Sequence, residues 1–210
     1  MRLHGYYRSS ASWRVRIALN LKGIGVEHRA HHLRRGEHRA PGYRALNPLG
    51  FVPTLETDSG APLTQSLAIC EWLDETHPEP PLLPGDALNR ARIRAFALTI
   101  ACDVHPAQNL RVLERLRALG VSEDDVTGWA RSVIADGFDA CQKLIVASQG
   151  PFCFGAAPTL ADLCLVPQLY NARRFGLDLA PFGRLLEAEA ASAQLPAFAD
   201  AAPERQPDAE

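Results

Sequence analysis

Apolar residues recur along this chain with two different periods, and the change from one to the other divides it. Up to about residue 80, short β-like stretches alternate with short helical ones, whereas beyond about Ala87 the pattern is helical throughout. Arg2 to Tyr7 predicts a strand. Ser12 to Lys22 carries Trp13, Ile17 and Leu21, flanked by Val15, Ala18 and Leu19, and predicts a helix that Gly23-Ile24-Gly25 stops. Val26 to Leu33 predicts a second, weaker strand. Val52 to Thr57, the turn Asp58-Ser59-Gly60 and Ala61 to Thr64 predict a hairpin entered through a proline. Ser66 is then placed to cap a helix running through Ile69, Trp72 and Leu73 to Thr76.

The proline-rich stretch from Thr76 to Gly85 cannot continue a helix and suits an extended linker. After it, long amphipathic segments run from about Leu88 to Leu119, interrupted at Pro106, and from Ser122 to about Ala147. In the second of these, Val126, Trp129, Val133, Phe138, Cys141, Leu144 and Ile145 mark the expected buried face. Thr159-Leu160-Ala161-Asp162 has the form of a capping box, opening a helix apolar almost all round that belongs at the centre of a bundle. The expected fold class is α/β plus all-α. A thioredoxin-like β-α-β-β-β-α domain spans residues 1–80, a linker 81–88, and an α-helical domain 89–210.

Composition narrows the function classes. With 47% hydrophobic and 22% charged residues, the chain has the apolar content to bury a core. Its formal net charge of -2 gives no global attraction to nucleic acid or to a membrane surface, so any anion site must be local. The opening Met1 to Tyr6 has no signal-peptide character and no apolar run approaches a membrane span, which makes the cytoplasm the expected compartment. Five cysteines without a C-x-x-C pair suggest neither a disulfide frame nor a zinc site, and four of them sit in apolar helical patterns as small buried hydrophobes. His28, His31, His32 and His38 match no zinc spacing, and the adjacent His31 and His32 would point to opposite faces of a strand, so no metal is expected.

Three places carry candidate chemistry. Arg8-Ser9-Ser10-Ala11-Ser12 lies at a helix N-terminus, where unpaired N–H groups, the helix dipole and hydroxyl donors favour an anion such as a thiolate. Read locally, Ser10 or Ser12 could equally be an ordinary cap. Val52-Pro53 could hold a cis bond that turns backbone groups outward to a peptide ligand, or a trans bond on an edge strand. Gln65-Ser66 places an amide and a hydroxyl at a second helix N-terminus, suited to a carboxylate or to simple capping.

Together these blocks resemble a known family. Arg8-Ser9-Ser10-Ala11-Ser12-Trp13-Arg14-Val15-Arg16-Ile17-Ala18-Leu19 closely resembles the signature of zeta-class glutathione transferases, the maleylacetoacetate isomerases, and the related bacterial maleylpyruvate isomerases. The resemblance continues through Ala45-Leu46-Asn47-Pro48, Val52-Pro53-Thr54-Leu55, Gln65-Ser66-Leu67-Ala68-Ile69, Gln108-Asn109-Leu110, Ala161 to Gln168 and Gln206-Pro207-Asp208, so it covers nearly the whole chain in order.

The resemblance implies a glutathione transferase fold, glutathione as cofactor, a homodimer, and glutathione-dependent cis-trans isomerisation of a ring-cleavage diacid. Maleylacetoacetate is the leading substrate and maleylpyruvate the alternative. It implies that Ser9, with Ser10 beside it, hydrogen-bonds the glutathione sulfur. Ala11, Ser12, Trp13, Arg14, His38, Val52, Pro53, Gln65 and Ser66 would surround the tripeptide, with His105, Asn109, Leu110 and Arg111 completing the pocket. Arg8 and Arg174 would hold the substrate carboxylates, whereas Arg173 reads as a surface charge, and Arg14 and Arg16 as structural or surface groups. Asp162 matches a structural capping position. Ala11 departs from the cysteine of many zeta-class members, which removes any contribution of that thiol. Other classes stay open: a transferase or dehalogenase acting on small electrophiles or α-halo acids, and a glutathione-binding protein without chemistry.

Overall fold

A computed structural model describes residues 1–210, which form two compact units, Met1–Leu82 together with Ala193–Glu210, and Leu83–Ser192. The expectation that the helical domain runs to residue 210 is therefore corrected for its last segment. That segment joins the first unit because the buried Arg16 guanidinium donates through Nε to the carbonyl of Ala201 (3.0 Å), and Asn20 donates to the carbonyl of Ala197 (3.0 Å).

The first unit is built on a four-stranded sheet in the order β2-β1-β3-β4, formed by β1 (Arg2–Gly5), β2 (Glu27–Ala30), β3 (Thr54–Glu56) and β4 (Pro62–Thr64). β2 runs parallel to β1, β3 antiparallel to β1, and β4 antiparallel to β3. Helix α1 (Ser10–Leu21) packs against α3 (Ser66–Thr76), with Val15, Ile17, Ala18 and Leu19 facing a core that includes Ile69, Cys70 and Leu73. Gly23, at φ +65°, ends α1 in the left-handed conformation glycine tolerates best. A short helix, α2 (Pro41–Leu46), stands between β2 and β3, so the observed order is β-α-β-α-β-β-α. Six residues opened by Pro41 are too few to show a helical period in the sequence.

Because strand side chains alternate, His4 points away from the side of Leu3. Its Nδ1 lies 2.8 Å from His31 Nε2 and its Nε2 lies 2.7 Å from Glu56 Oε1, with both imidazoles against the Tyr43 ring. His31 faces His4, Arg29, Glu37 and His38; burial first, then the neighbouring cations, pull its pKa below the ordinary value. Burial and Arg16 do the same to His28, with Asp208 opposing. The hydrogen bond from His4 holds Glu56 below the usual carboxylate range. The unfolded chain therefore binds more protons than the folded one below about pH 6.5 at the two histidines, and below about pH 4.5 at Glu56. Stability should be full at pH 7 to 8 and fall in two stages as the pH drops through those windows. Thermal unfolding followed by circular dichroism checks this; a melting temperature that rises between pH 6.5 and 5 would contradict it.

The second unit contains α4 (Ala87–Leu98), a π-helical turn (Thr99–Val104), α5 (Leu110–Ala118), α6 (Glu123–Ile145), α7 (Leu160–Arg174) and all but the last residue of α8 (Gly183–Ala193). The chain then continues into α9 (Pro196–Ala199) of the first unit. The buried face of α6 is Val126, Ala130, Ile134, Phe138, Cys141 and Ile145. That corrects the expectation for Trp129 and Leu144, which are 46% and 50% exposed, and for Val133, which is half-buried. Beside this face α6 crosses the π-helical turn at close range. A Cβ on Gly137 would stand 2.1 Å from Val104 Cγ2. Trp129 stays at the surface with its indole N–H donated to the carbonyl of Ala107 (2.9 Å). α7 is buried on nearly every side, as its apolar pattern requires, and Thr159 and Asp162 form the capping box at its start. Cys102 is exposed, so it is not one of the buried cysteines; the other four are.

Candidate active site

The sheet topology gathers the sequence candidates of the first unit at one end. β1 and β3 are antiparallel with His4 opposite Thr54, so the loop leaving β1 (Tyr6 to Ser9) and the loop entering β3 (Val52-Pro53) lie together. β4 is antiparallel to β3 with Thr54 opposite Thr64, which brings Gln65-Ser66 to the same end. β2 runs parallel to β1, so the segment that follows it, containing His38, also departs there.

Neither Ser10 nor Ser12 caps α1. Ser9 is the N-cap, in extended backbone, and its Oγ accepts the Ser12 N–H (3.2 Å). That bond uses a lone pair of Oγ, which leaves the hydroxyl proton to donate outward. Ser9 and Ala11 are half-buried and Ser10 is buried, and the Ser10 and Ala11 N–H groups belong to the first turn, where no intrahelical acceptor exists. Ser12 corrects an expectation. It is fully enclosed, its N–H is taken by Ser9, and its hydroxyl side lies against Gly5, so it supports the turn from behind. Trp13 and Arg14 are also buried; Arg14 Nη1 reaches Ser66 Oγ (3.4 Å) and ties α1 to the start of α3.

Val52-Pro53 is cis, which settles the alternative left open by the sequence. The loop before it is held by Asn47, whose amide donates to the carbonyl of Phe51 (2.8 Å) and to Thr54 Oγ1 (3.2 Å), while Tyr43 bonds the same Thr54 hydroxyl (2.9 Å). No hydrogen bond within the chain uses the backbone N–H or carbonyl of Val52. His38 is buried in a 3₁₀ turn, and Gly50, at φ +64°, passes so close that a Cβ there would lie 3.0 Å from the His38 carbonyl oxygen. Contrary to expectation, Ser66 does not cap α3. Gln65 occupies the cap position at φ +70° without a side-chain cap bond, and Ser66 is the first helical residue. Such a backbone costs about 1–3 kcal/mol in a non-glycine residue and is found where a ligand is clamped. The first turns of α1 and α3 contain no acidic residue, so both positive helix ends remain uncompensated.

The other candidates belong to the second unit. His105 follows the π-helical turn, its N–H bonded to the carbonyl of Ile100 (2.8 Å). Asn109 caps α5, and Leu110 and Arg111 are exposed in its first turn. Arg174 ends α7 and donates to Asn171 Oδ1 (3.0 Å); Asn171 donates to Gln108 Oε1 (2.7 Å), and Gln108 lies 3.5 Å from Gln168 Oε1. A buried row of amides thus orients the exposed arginine. Arg173 instead pairs with Glu189 (2.6 Å).

Two sets of residues take on roles at the site that the sequence did not assign to them. Tyr43 and Asn47 scaffold the Val52-Pro53 turn, and the Asn47-Pro48 pair was the available signal. Arg16 and Asp208 hold the loop before Ser9. Arg16 is 4% exposed and bonds three carbonyl oxygens, those of Tyr6, Tyr7 and Ala201, so it is structural and not a surface group.

Comparison with known proteins identifies relatives of this chain. The model of the glutathione S-transferase N-terminal domain matches residues 3–81. A maleylacetoacetate isomerase of Pseudomonas aeruginosa is 48% identical, with 99% of this chain and 98% of that protein aligned. The holo structure of a maleylpyruvate isomerase, a bacterial zeta-class glutathione transferase, superimposes with a TM-score of 0.97 at 46% identity, covering 100% of both chains. A maleylacetoacetate isomerase from Anaeromyxobacter dehalogenans with glutathione bound in its active site gives a TM-score of 0.91 at 48% identity, over 100% of this chain and 97% of that one.

Proposed function

Since this chain belongs to the zeta class of glutathione transferases, the family of the maleylacetoacetate and maleylpyruvate isomerases, we propose that it is a glutathione-dependent cis-trans isomerase of an unsaturated diacid, maleylacetoacetate first. One observation carries the reading: a single end of the sheet presents two acid-free helix N-termini and, between them, the unpaired peptide groups of Val52. A tripeptide with a thiolate, an amide backbone and a terminal carboxylate has the groups to fill those three places.

When bound, glutathione supplies a reversible thiol nucleophile and is not consumed. The Ser9 hydroxyl donates to the sulfur, with the Ser10 and Ala11 N–H groups and the α1 dipole adding to the stabilisation of negative charge. Lowering a thiol from about 8.5 by two units requires about 2.7 kcal/mol, within reach of one charge-assisted hydrogen bond plus a helix N-terminus. Val52 pairs the peptide through its backbone, and Gln65 and Ser66 take the γ-glutamyl carboxylate, with Arg14 behind Ser66. His38, Pro53, His105, Asn109, Leu110 and Arg111 complete the ligand contacts. Arg8 and Arg174 hold the substrate carboxylates, the second steadied by Asn171.

Maleylpyruvate is the second reading, favoured by the near-complete superposition on a maleylpyruvate isomerase and by Ala11. Family resemblance supports a cytoplasmic homodimer serving aromatic or tyrosine catabolism. The purified protein is assayed on both diacids with and without glutathione. Turnover of at least one, abolished by removing glutathione, is expected; isomerisation indifferent to glutathione would sink the reading.

A further inference from the structure

The four residues Tyr6 to Ser9 lie between the end of β1 and the start of α1, and one hydrogen bond, from the Ser9 N–H to the Tyr6 carbonyl (3.0 Å), is internal to them. Every other backbone hydrogen bond of Tyr6 and Tyr7 in this loop comes from outside it. The Tyr7 N–H donates to Asp208 Oδ2 (2.9 Å), Arg16 Nη2 donates to the Tyr7 carbonyl (2.8 Å), and Arg16 Nη1 to the Tyr6 carbonyl (3.4 Å). The same guanidinium donates to the Ala201 carbonyl, so it ties the loop to the segment that carries Asp208.

We propose that Asp208, with Arg16, is a positioning residue for the reaction: the two fix the Tyr6-Tyr7 peptides from which Arg8 and Ser9 are presented to sulfur and substrate. This rests on the reading of Ser9 as the partner of the glutathione sulfur. Packing holds the Tyr6 and Tyr7 rings, which are buried in a cluster with Tyr43 and Val52, whereas their peptide groups are held by these hydrogen bonds beside a groove of about 250 Å³ lined among others by Arg16 and Pro207. The segment itself is held in place. Gln206 Nε2 donates to the carbonyls of Asp200 and Ala202 (both 2.9 Å), and Glu210 meets His32 Nε2 (3.2 Å) and Arg35 Nη2 (2.8 Å). Asp208 also offsets the buried Arg16 charge, whose pKa burial lowers to about 10. A misplacement on the order of 1 Å at a reacting group can cost up to about a hundredfold in rate.

The test uses Asp208→Ala and Asp208→Asn in the full chain. For D208A, kcat at saturating glutathione should fall about tenfold and the pKa of the bound thiol, followed by thiolate absorbance against pH, should rise by about one unit. KM for glutathione should stay within about twofold, because Val52, Gln65 and Ser66 are untouched. D208N keeps an acceptor oxygen but loses the charge, and should show about half the rise in thiol pKa. A carboxylate that served stability alone would lower the melting temperature and leave the bound-thiol pKa unmoved; that result in folded D208A overturns the inference. Should D208A fail to fold, the thiol pKa of D208N decides in the same way. Ser9→Ala separates the two levels. An unmoved thiol pKa in S9A overturns the Ser9 reading and this inference with it, whereas a rise in S9A without one in D208A overturns this inference alone.

Discussion

Replacing Ser9 by alanine is expected to lower kcat/KM for isomerisation by about 10- to 100-fold, the largest loss from any single hydroxyl in the protein. That loss follows from what the side chain does. Its Oγ accepts the Ser12 N–H at 3.2 Å, which leaves the hydroxyl proton to donate to the sulfur in the proposed mechanism. A hydrogen bond to a charged partner contributes about 1.5–3 kcal/mol, which covers that range of rates. The same substitution removes a helix cap and should lower stability by about 1 kcal/mol. Ser10 is the internal control. It is buried as the first helical residue, and Ser10→Ala should cost less than about threefold in rate on that ground. Steady-state kinetics at saturating glutathione on the two variants decide the matter; equal losses would mean that the hydroxyl donor has been assigned to the wrong serine or is shared.

Asp162→Ala should produce the largest loss of stability, about 3–5 kcal/mol, with no direct effect on chemistry. The carboxylate is fully buried. Oδ1 accepts the Cys153 N–H (2.9 Å), and Oδ2 accepts both the Thr159 N–H (2.8 Å) and the Thr159 hydroxyl (3.0 Å). Burial pushes the Asp162 pKa up, and the bonds from Cys153 and Thr159 oppose it, so much of their strength already offsets desolvation. Truncation strands two buried backbone donors and a hydroxyl, each costing about 1–3 kcal/mol, and relieves a desolvated carboxylate, which brings the total into the stated range. Urea unfolding followed by circular dichroism reads the difference. A loss below about 1 kcal/mol would show that water or a neighbouring group replaces the carboxylate.

The elements with strong local signals were readable from the sequence, and those set by distant contacts were not. α1 announced itself through Trp13, Ile17 and Leu21, and α7 through its unbroken apolar run. The face that α6 buries is not the one its large hydrophobes suggest. Close approach to the π-helical turn requires a small residue at Gly137, Ala130 packs with Leu113 and Val126, and Trp129 and Leu144 stay at the surface, where an apolar side chain is common enough. At the site, the serine turn, the Val52-Pro53 bond and the Gln65-Ser66 pair were each ambiguous alone. Their common address at one end of the sheet is a property of strand register, which periodicity does not encode. Arg14 and Arg16 could be recognised as structural only once their acceptors, Ser66 and three carbonyls, were in place.

The bond between the Tyr7 N–H and Asp208 spans 201 positions, which sets an order of events during protein synthesis. β1 and α1 leave the ribosome well before the acceptor that completes the turn between them is translated. At about 5–20 residues per second the interval is on the order of 10–40 s. A nascent chain can therefore assemble its sheet and bury its first core while the serine turn still lacks its distant anchor, and the turn reaches its finished geometry only once Asp208 has been made.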